Sequence, residues 1–426
     1  MAKLSGKPKW QGGFDPQIRG QGRQHPMGWL FPTAAFSGFG PSAFHGWGDP
    51  RPACVSAGTS RTLLKRLAEI CPRGQPGVYA LVNGRGELFY LGKAKCLRTR
   101  LLGYFNPSSR KEKSGRLARL ARSIWWEPVP DEFAALLREL ELIRRMAPVC
   151  NVKGLPEDRT RSYLEMTGGA APYLRAVRQV RTHATRHWGP LPWTRRMREA
   201  IRAVNLHFRL RECPRPHPPL FPSRQVLLMA GQRNGPTGCL RHGLGLCIAP
   251  CLEGASRQAY GDAVAACLDF LSGNPRAIES LEKQMLAAAE ETDFERAATL
   301  RDRMAQMRYL QGHLARLDAA WGLHGVHAVL GPSGVETWYL LHRGRVLEAL
   351  RRPQQSTKAL ARLRKLLETH DGVPPGWRVW KLEQIDQVLL VMSWMKNNPL
   401  TVGRRLWTCE EADQWVPGDW NQSESA

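Results

Sequence analysis

Leu63, Leu64, Leu67 and Ile70 recur at helical spacing, and the chain then changes period. Two short apolar runs, GVYALV at 77–82 and ELFYLG at 87–92, flank Asn83-Gly84-Arg85-Gly86, residues that suit the backbone of a tight hairpin. Helical patterns follow at 95–104 and 115–123, and IWWEPV at 124–129 reads as a third strand. A further helix covers 131–146, with Asp131 as its N-cap and Pro148 beyond its end. The pattern predicts a small α/β unit over residues 58–153, a three-stranded antiparallel sheet with helices.

Downstream the periodicity weakens. Residues 154–254 are rich in Pro and Gly with one clear helix at 194–208, and a domain of that kind needs a staple. Residues 255–316 are helical in two stretches, 257–271 and 277–315, and the second is able to fold into a helical hairpin at Asp293. Residues 317–400 read as a small C-terminal α/β unit, with strands in GVHAVLG and TWYLLHRGRVLEAL and helices in KALARLRKLLET and QVLLVMSWMKNN. Residues 1–57 carry Gly, Pro, Trp and Phe without period and are expected to form a disordered basic arm, and 401–426 a polar tail. The predicted class is α+β multidomain.

Charge narrows the partners. The 426 residues carry a net charge of +25, which calls for a polyanion. No apolar run approaches the roughly 20 residues needed to span a bilayer, so double-stranded DNA is expected and a membrane is not. The polar N-terminus reads as no secretory signal, which predicts a cytoplasmic location and reduced thiols. Of ten cysteines, Cys213, Cys239, Cys247 and Cys251 cluster, and in such a compartment they read as metal ligands before disulfides.

The first α/β unit concentrates phosphodiester chemistry. Cleavage needs an activated water, charge on the phosphoryl oxygens and help for the leaving oxygen. A hard divalent ion accepts few protein ligands, so one carboxylate suffices to hold it. A tyrosine relays the proton if neighbouring cations lower its pKa. Tyr79 and Tyr90 lie on adjacent strands, Lys93 at a strand end, Arg100 and Tyr104 on the next helix, Glu139 mid-helix and Asn151 at the close of the unit. This order resembles the GIY-YIG nucleases, and the string YLGKAKCLRTRLLGYF resembles UvrC, the incision subunit of bacterial nucleotide excision repair. The resemblance implies that Tyr79 and Tyr90 are the motif tyrosines; the sequence leaves open which of the two is the base, with Tyr79 favoured. It makes Lys93, Arg100, Tyr104 and Asn151 further catalytic positions, and Glu139 the ligand of Mg²⁺ or Mn²⁺.

Cys213, Cys239, Cys247 and Cys251 depart from the paired C-x₂-C of zinc ribbons. Four thiolates suit either a 4Fe–4S cluster or Zn²⁺. GLCIAPC resembles the cysteine-rich region of UvrC, which implies the cluster ahead of zinc; His217 and His242 are read as bystanders. DFERAATLRDRM resembles the UVR motif, implying that Phe294, Glu295, Arg296, Ala297, Leu300 and Arg301 meet a UvrB-like helicase subunit. The RNase H-type nuclease and helix–hairpin–helix repeats of UvrC proteins are not recognisable in 321–395 or after it. The reading is therefore an endonuclease with one cutting site, incising on the 3′ side of a lesion in duplex DNA. Two rivals are a non-catalytic DNA-binding adaptor that docks the helicase through its UVR hairpin, and a homing- or restriction-type GIY-YIG endonuclease.

Overall fold

The computed structural model describes residues 35–44, 52–106, 113–151, 161–180, 186–213, 221, 239–252, 256–352, 356–368, 379–400 and 404–414. The outer parts of the predicted arm (1–34, 45–51), the end of the tail and His217 lie outside them.

The first unit runs β1 (Ala53–Ser56), α1 (Ser60–Ile70), β2 (Gly77–Val82), β3 (Leu88–Ala94), α2 (Leu97–Gly103), α3 (Lys113–Leu120), β4 (Ser123–Pro128) and α4 (Glu132–Met146). Its antiparallel sheet has four strands in the order β1-β4-β2-β3, one more than predicted. The added strand comes from the predicted arm. Four residues with one buried apolar side chain, Val55, carry no readable period, and pairing with β4 makes them a strand. Every residue of β2 is buried, because the sheet is covered on both faces. Tyr79 and Leu81 face a core with α1 and α2, whereas Val78 and Ala80 face Leu142 and Ile143 of α4.

Residues 36–44 also belong to this unit rather than to a free arm. Phe39 and Phe44 are buried, and the Phe36 ring meets Trp125 edge-on at 5.4 Å. The guanidinium of Arg138 on α4 holds the segment. It pairs bidentately with Glu127 (2.8 and 3.0 Å), reaches Glu141 at 3.0 Å, and donates to the carbonyls of Gly40 (2.6 Å) and Pro41 (3.0 Å). All of its donors are thereby used without water.

The second unit begins with β5 (Arg161–Met166), β6 (Leu174–Val177) and β7 (Arg186–Pro192), an antiparallel sheet in the order β6-β5-β7 that the weak periodicity concealed. It continues with α5 (Arg195–His207), capped by Thr194, then the short α6 (Leu240–Gly243), and α7 (Arg257–Leu271). The hairpin is α8 (Arg276–Glu290) and α9 (Phe294–Trp321), broken at Thr292, whose φ is 60°, and restarted by the Asp293 cap. One apolar core joins β5–β7, α5 and α7–α9, so the base of the hairpin is packed within the chain.

The C-terminal unit contains β8 (Gly325–Leu330), β9 (Glu336–His342), β10 (Arg345–Arg351), α10 (Ser356–Glu368), α11 (Leu382–Asn397), β11 (Arg404–Trp407) and α12 (Cys409–Gln414). Its sheet order is β10-β9-β8-β11, antiparallel throughout. The last two elements fall in the predicted tail; β11 is a strand because β8 offers it an edge.

This unit grips α4 at both ends. Asp131 caps α4 through Ala134 N–H (2.9 Å) and accepts the Tyr339 hydroxyl (2.7 Å). Phe133 stacks on Trp394 at 5.1 Å and meets Tyr339 edge-on at 4.7 Å. At the far end Arg144 pairs with Asp386 at 2.7 Å, which also takes Arg161 at 3.2 Å.

Candidate functional site

The site is built around β3, the outer strand of the first sheet. An edge strand leaves alternate backbone groups without a ladder partner. Here they are met by side chains. Asn151 Oδ1 accepts Leu91 N–H and Asn151 Nδ2 donates to Leu91 O, both at 2.9 Å. Two residues on, the Lys93 N–H is taken by the Glu139 carboxylate. Asn151 is therefore occupied by the main chain, and its expected place among the catalytic groups is corrected: it fixes the strand that carries Tyr90 and Lys93.

On the other side of β3, Tyr79 stands opposite Gly92. A Cβ at Gly92 would lie 2.5 Å from Tyr79 Oη, so only glycine leaves room for the ring. The Tyr79 and Tyr104 hydroxyls are 2.7 Å apart, and Arg100 Nε donates to Tyr79 Oη at 3.2 Å. Leu97 and Leu101 bury one side of α2 and so set Arg100 and Tyr104, one turn apart, toward Tyr79. Tyr90 is half-buried, its ring 6.2 Å from that of Tyr79.

The electrostatics bear on which group could act as base. Burial raises the pKa of Tyr79, reinforced by Tyr90, and the hydrogen bond from Tyr104 and the charge of Arg100 only partly oppose it. Tyr104 is raised for the same first reason, burial, and then by Tyr79. The Arg100 charge thus lowers the Tyr79 phenol, but burial acts more strongly in the other direction. Glu139, half-buried on α4, is pushed up to about 7 by burial, against the pull of Lys93 and Arg100. An under-neutralised carboxylate beside a cleft fits a divalent cation.

Lys93, Arg100 and Tyr104 line an open cleft of about 550 Å³ together with Lys95, Cys96, Thr99, Gly103 and Ser114. Lys95 also pairs with Glu132 at 2.9 Å. The structure thus brings Tyr79, Tyr90, Lys93, Arg100, Tyr104 and Glu139 round one strand edge. Thr99 and Ser114 on the cleft wall carried no signal in the sequence.

Cys213, Cys239, Cys247 and Cys251 come into one neighbourhood. Burial raises the thiols of Cys247 and Cys251, and the other cysteines of the set add to it. Ala249, at a φ of 60°, donates its N–H to Cys247 Sγ at 3.3 Å. Among the described residues no three Cys, His, Asp or Glu side chains stand close enough for one metal ion. His242 Nδ1 lies 3.2 Å from the Cys247 carbonyl, consistent with a bystander.

At the hairpin tip Phe294 is 68% exposed, and Glu295, Arg296 and Arg301 face solvent. Ala297 is half-buried. Leu300 is 7% exposed and belongs to the chain's own core, which corrects its expected place on a partner surface.

Residues 75–152 match the model of the UvrC-like GIY-YIG domain, 162–270 that of the UvrC/Cho excinuclease middle domain, and 276–310 that of the UvrB/uvrC motif. The chain is 35% identical over 261 residues to the UvrABC system protein C of Aromatoleum aromaticum, covering 60% of this chain and 39% of that protein. It is 31% identical over 278 residues to the UvrABC system protein C of Carboxydothermus hydrogenoformans, covering 64% and 43%. The chain therefore spans less than half the length of these curated relatives.

Proposed function

We propose that this chain, UvrC-like in its GIY-YIG nuclease domain, middle domain and UvrB/uvrC motif, is a metal-dependent endonuclease of nucleotide excision repair. The observation that carries the reading is the meeting of the hydrogen-bonded Tyr79, Tyr104 and Arg100 with Glu139 across the edge of β3, beside a cleft lined by Lys93 and Arg100.

Glu139 would hold Mg²⁺ or Mn²⁺, which supplies a polarising charge for the attacking water and the leaving oxygen. The chain's own groups do the rest. Arg100 and Lys93 stabilise the negative charge that grows on the phosphoryl oxygens as the water oxygen bonds to phosphorus and the P–O ester bond breaks, one proton of the water ending on the departing ester oxygen. Tyr104, at the cleft wall, orients the water, and Tyr79 holds Tyr104 and Arg100 in place from behind. The substrate is duplex DNA with a lesion, incised on the 3′ side. Delivery is by a UvrB-like subunit docked on the hairpin tip, where Phe294 and Leu286 are exposed at 68% and 54%. Cys213, Cys239, Cys247 and Cys251 would hold an iron–sulfur cluster that staples the middle domain.

Glu139→Gln tests the assignment. Mg²⁺-dependent nicking of supercoiled plasmid should be abolished while DNA binding in EDTA is kept. Full nicking by the folded variant refutes it. Mapping the nick on a lesion-bearing duplex with a UvrB-type partner fixes the side of incision.

A further inference from the structure

A second set of cations lies outside the cleft, on the middle domain. Thr194 caps α5, whose first turn holds no acidic residue and which exposes Arg195, Arg196, Arg198 and Arg202 while burying Met197, Ala200, Ile201 and Val204. Arg195 is paired with Glu199 at 2.7 Å, and Arg202 lies 3.6 Å from Glu212. The other two are held by aromatic rings instead. Arg198 and Arg178 both stand over Trp193, with Cζ 5.6 and 5.2 Å from the ring centroid. Arg196 stands over Tyr309 of α9 at 4.2 Å.

Among the described residues, none of Arg178, Arg196 and Arg198 pairs with a carboxylate. The surrounding field is positive as well. His313, whose ring lies 4.7 Å from that of Tyr309, is pushed down to about 4 by burial and by the charges of Arg316, Arg161 and Arg196. Of these, Arg316 is exposed, whereas Arg161 is shared with Asp386.

Like charges gathered without counter-charges destabilise a folded chain unless a ligand offsets them. A ring beneath a guanidinium restricts its rotamers, so less freedom is lost when it binds. The rings are covered by the guanidinium groups, which leaves little face for base stacking. The outward chemistry is a set of forked donors on the two flanks of the exposed face of α5, suited to phosphate oxygens and indifferent to sequence.

We infer that Arg178, Arg196 and Arg198, seated on Trp193 and Tyr309, form a second nucleic-acid contact surface that binds the phosphate backbone. It stands apart from the nuclease reading, because the surface would bind whether or not the cleft cuts.

The test uses the full chain in EDTA, where nothing is cut, with a short labelled undamaged duplex followed by fluorescence anisotropy over a salt series. The Arg178→Gln, Arg196→Gln, Arg198→Gln triple variant should lower the steepness of the log Kd against log salt plot by about 3, with each single variant lowering it by about 1. The corresponding triple Lys variant keeps the charge and should keep the slope. If the Gln triple does not fold, the single variants carry the same measurement. A slope unchanged in folded Gln variants overturns the inference, as does a Lys triple that loses the slope along with the Gln triple. Mg²⁺-dependent plasmid nicking by the same Arg variants is read separately, so failure here and failure of the nuclease reading are separate results.

Discussion

Arg138→Met should loosen the first unit more than any other single change near the cleft. The side chains of Arg138 and Glu127 are 0% and 2% exposed, so their mutual charge is scarcely screened. Removing the guanidinium strands a buried carboxylate and leaves the Gly40 carbonyl without its donor, while the Pro41 carbonyl keeps only Arg145 at 2.9 Å. Breaking a buried pair in this way costs about 3–5 kcal/mol, a factor of about 100 or more in an opening equilibrium. Because the chain has several units, a single unfolding midpoint would blur the effect. Hydrogen exchange of the α4 and β4 backbone amides reads it locally, and the variant should exchange at least about 100-fold faster there. Glu127→Leu combined with Arg138→Met replaces the pair by apolar groups and should recover most of the loss. Acceleration below about threefold, or a double variant no better than the single, would refute the argument.

Tyr79→Phe should slow single-turnover nicking by about tenfold or more, by releasing Tyr104 and Arg100, without altering the pH–rate profile in the neutral range. A basic limb that disappears with the hydroxyl would instead make Tyr79 the base. Asp131 is pushed up to about 6 by burial, against 3.8 for a free aspartate, so the folded chain binds its proton more tightly and stability falls as pH rises from about 4 to 6. Buried His327 is lowered to about 4 from 6.5, so stability rises with pH across the same window and the two slopes oppose each other. Asp131→Asn should leave the histidine slope alone and make the protein more sensitive to acid, as a drop in urea midpoint between neutral pH and about pH 4.5; an unchanged pH dependence would count against it. Cys247→Ser should remove the visible absorption of anaerobically purified protein, whereas zinc content matching the protein concentration in the parent chain would replace the cluster by a metal ion.

The hairpin of β2 and β3, the Asp131 cap and the break at Asp293 were legible because each is a local signal, a turn sequence or a capping residue with its own hydrogen bond. What the sequence concealed is what needs a distant partner. Ala53–Ser56 is a strand only against β4, and residues 36–44 are held by distant side chains, among them the Arg138 guanidinium about a hundred positions away. The nuclease residues could be placed in order along the chain, yet their protonation could not, because it depends on burial. At Tyr79 burial acts against the Arg100 charge, a balance no local sequence signal carries. Asn151 was located but misjudged, since an amide spent on an edge strand looks, in sequence, like an amide available to substrate.

These corrections change how labour is divided in the proposed site. Besides the hydrogen-bonded tyrosines, the charged groups of the proposed site are Arg100, Lys93 and Glu139. Glu139 is the one whose ordinary ionisation is opposed by its surroundings. In the proposed site a divalent cation held by Glu139 would offset that opposition. Glu139 keeps its aim because α4 is fixed along its length: by Asp131 and Phe133 against Tyr339 and Trp394, by Arg138 against Glu127, and by Arg144 against Asp386. On this view the C-terminal unit serves the cleft by bracing the helix that carries its carboxylate.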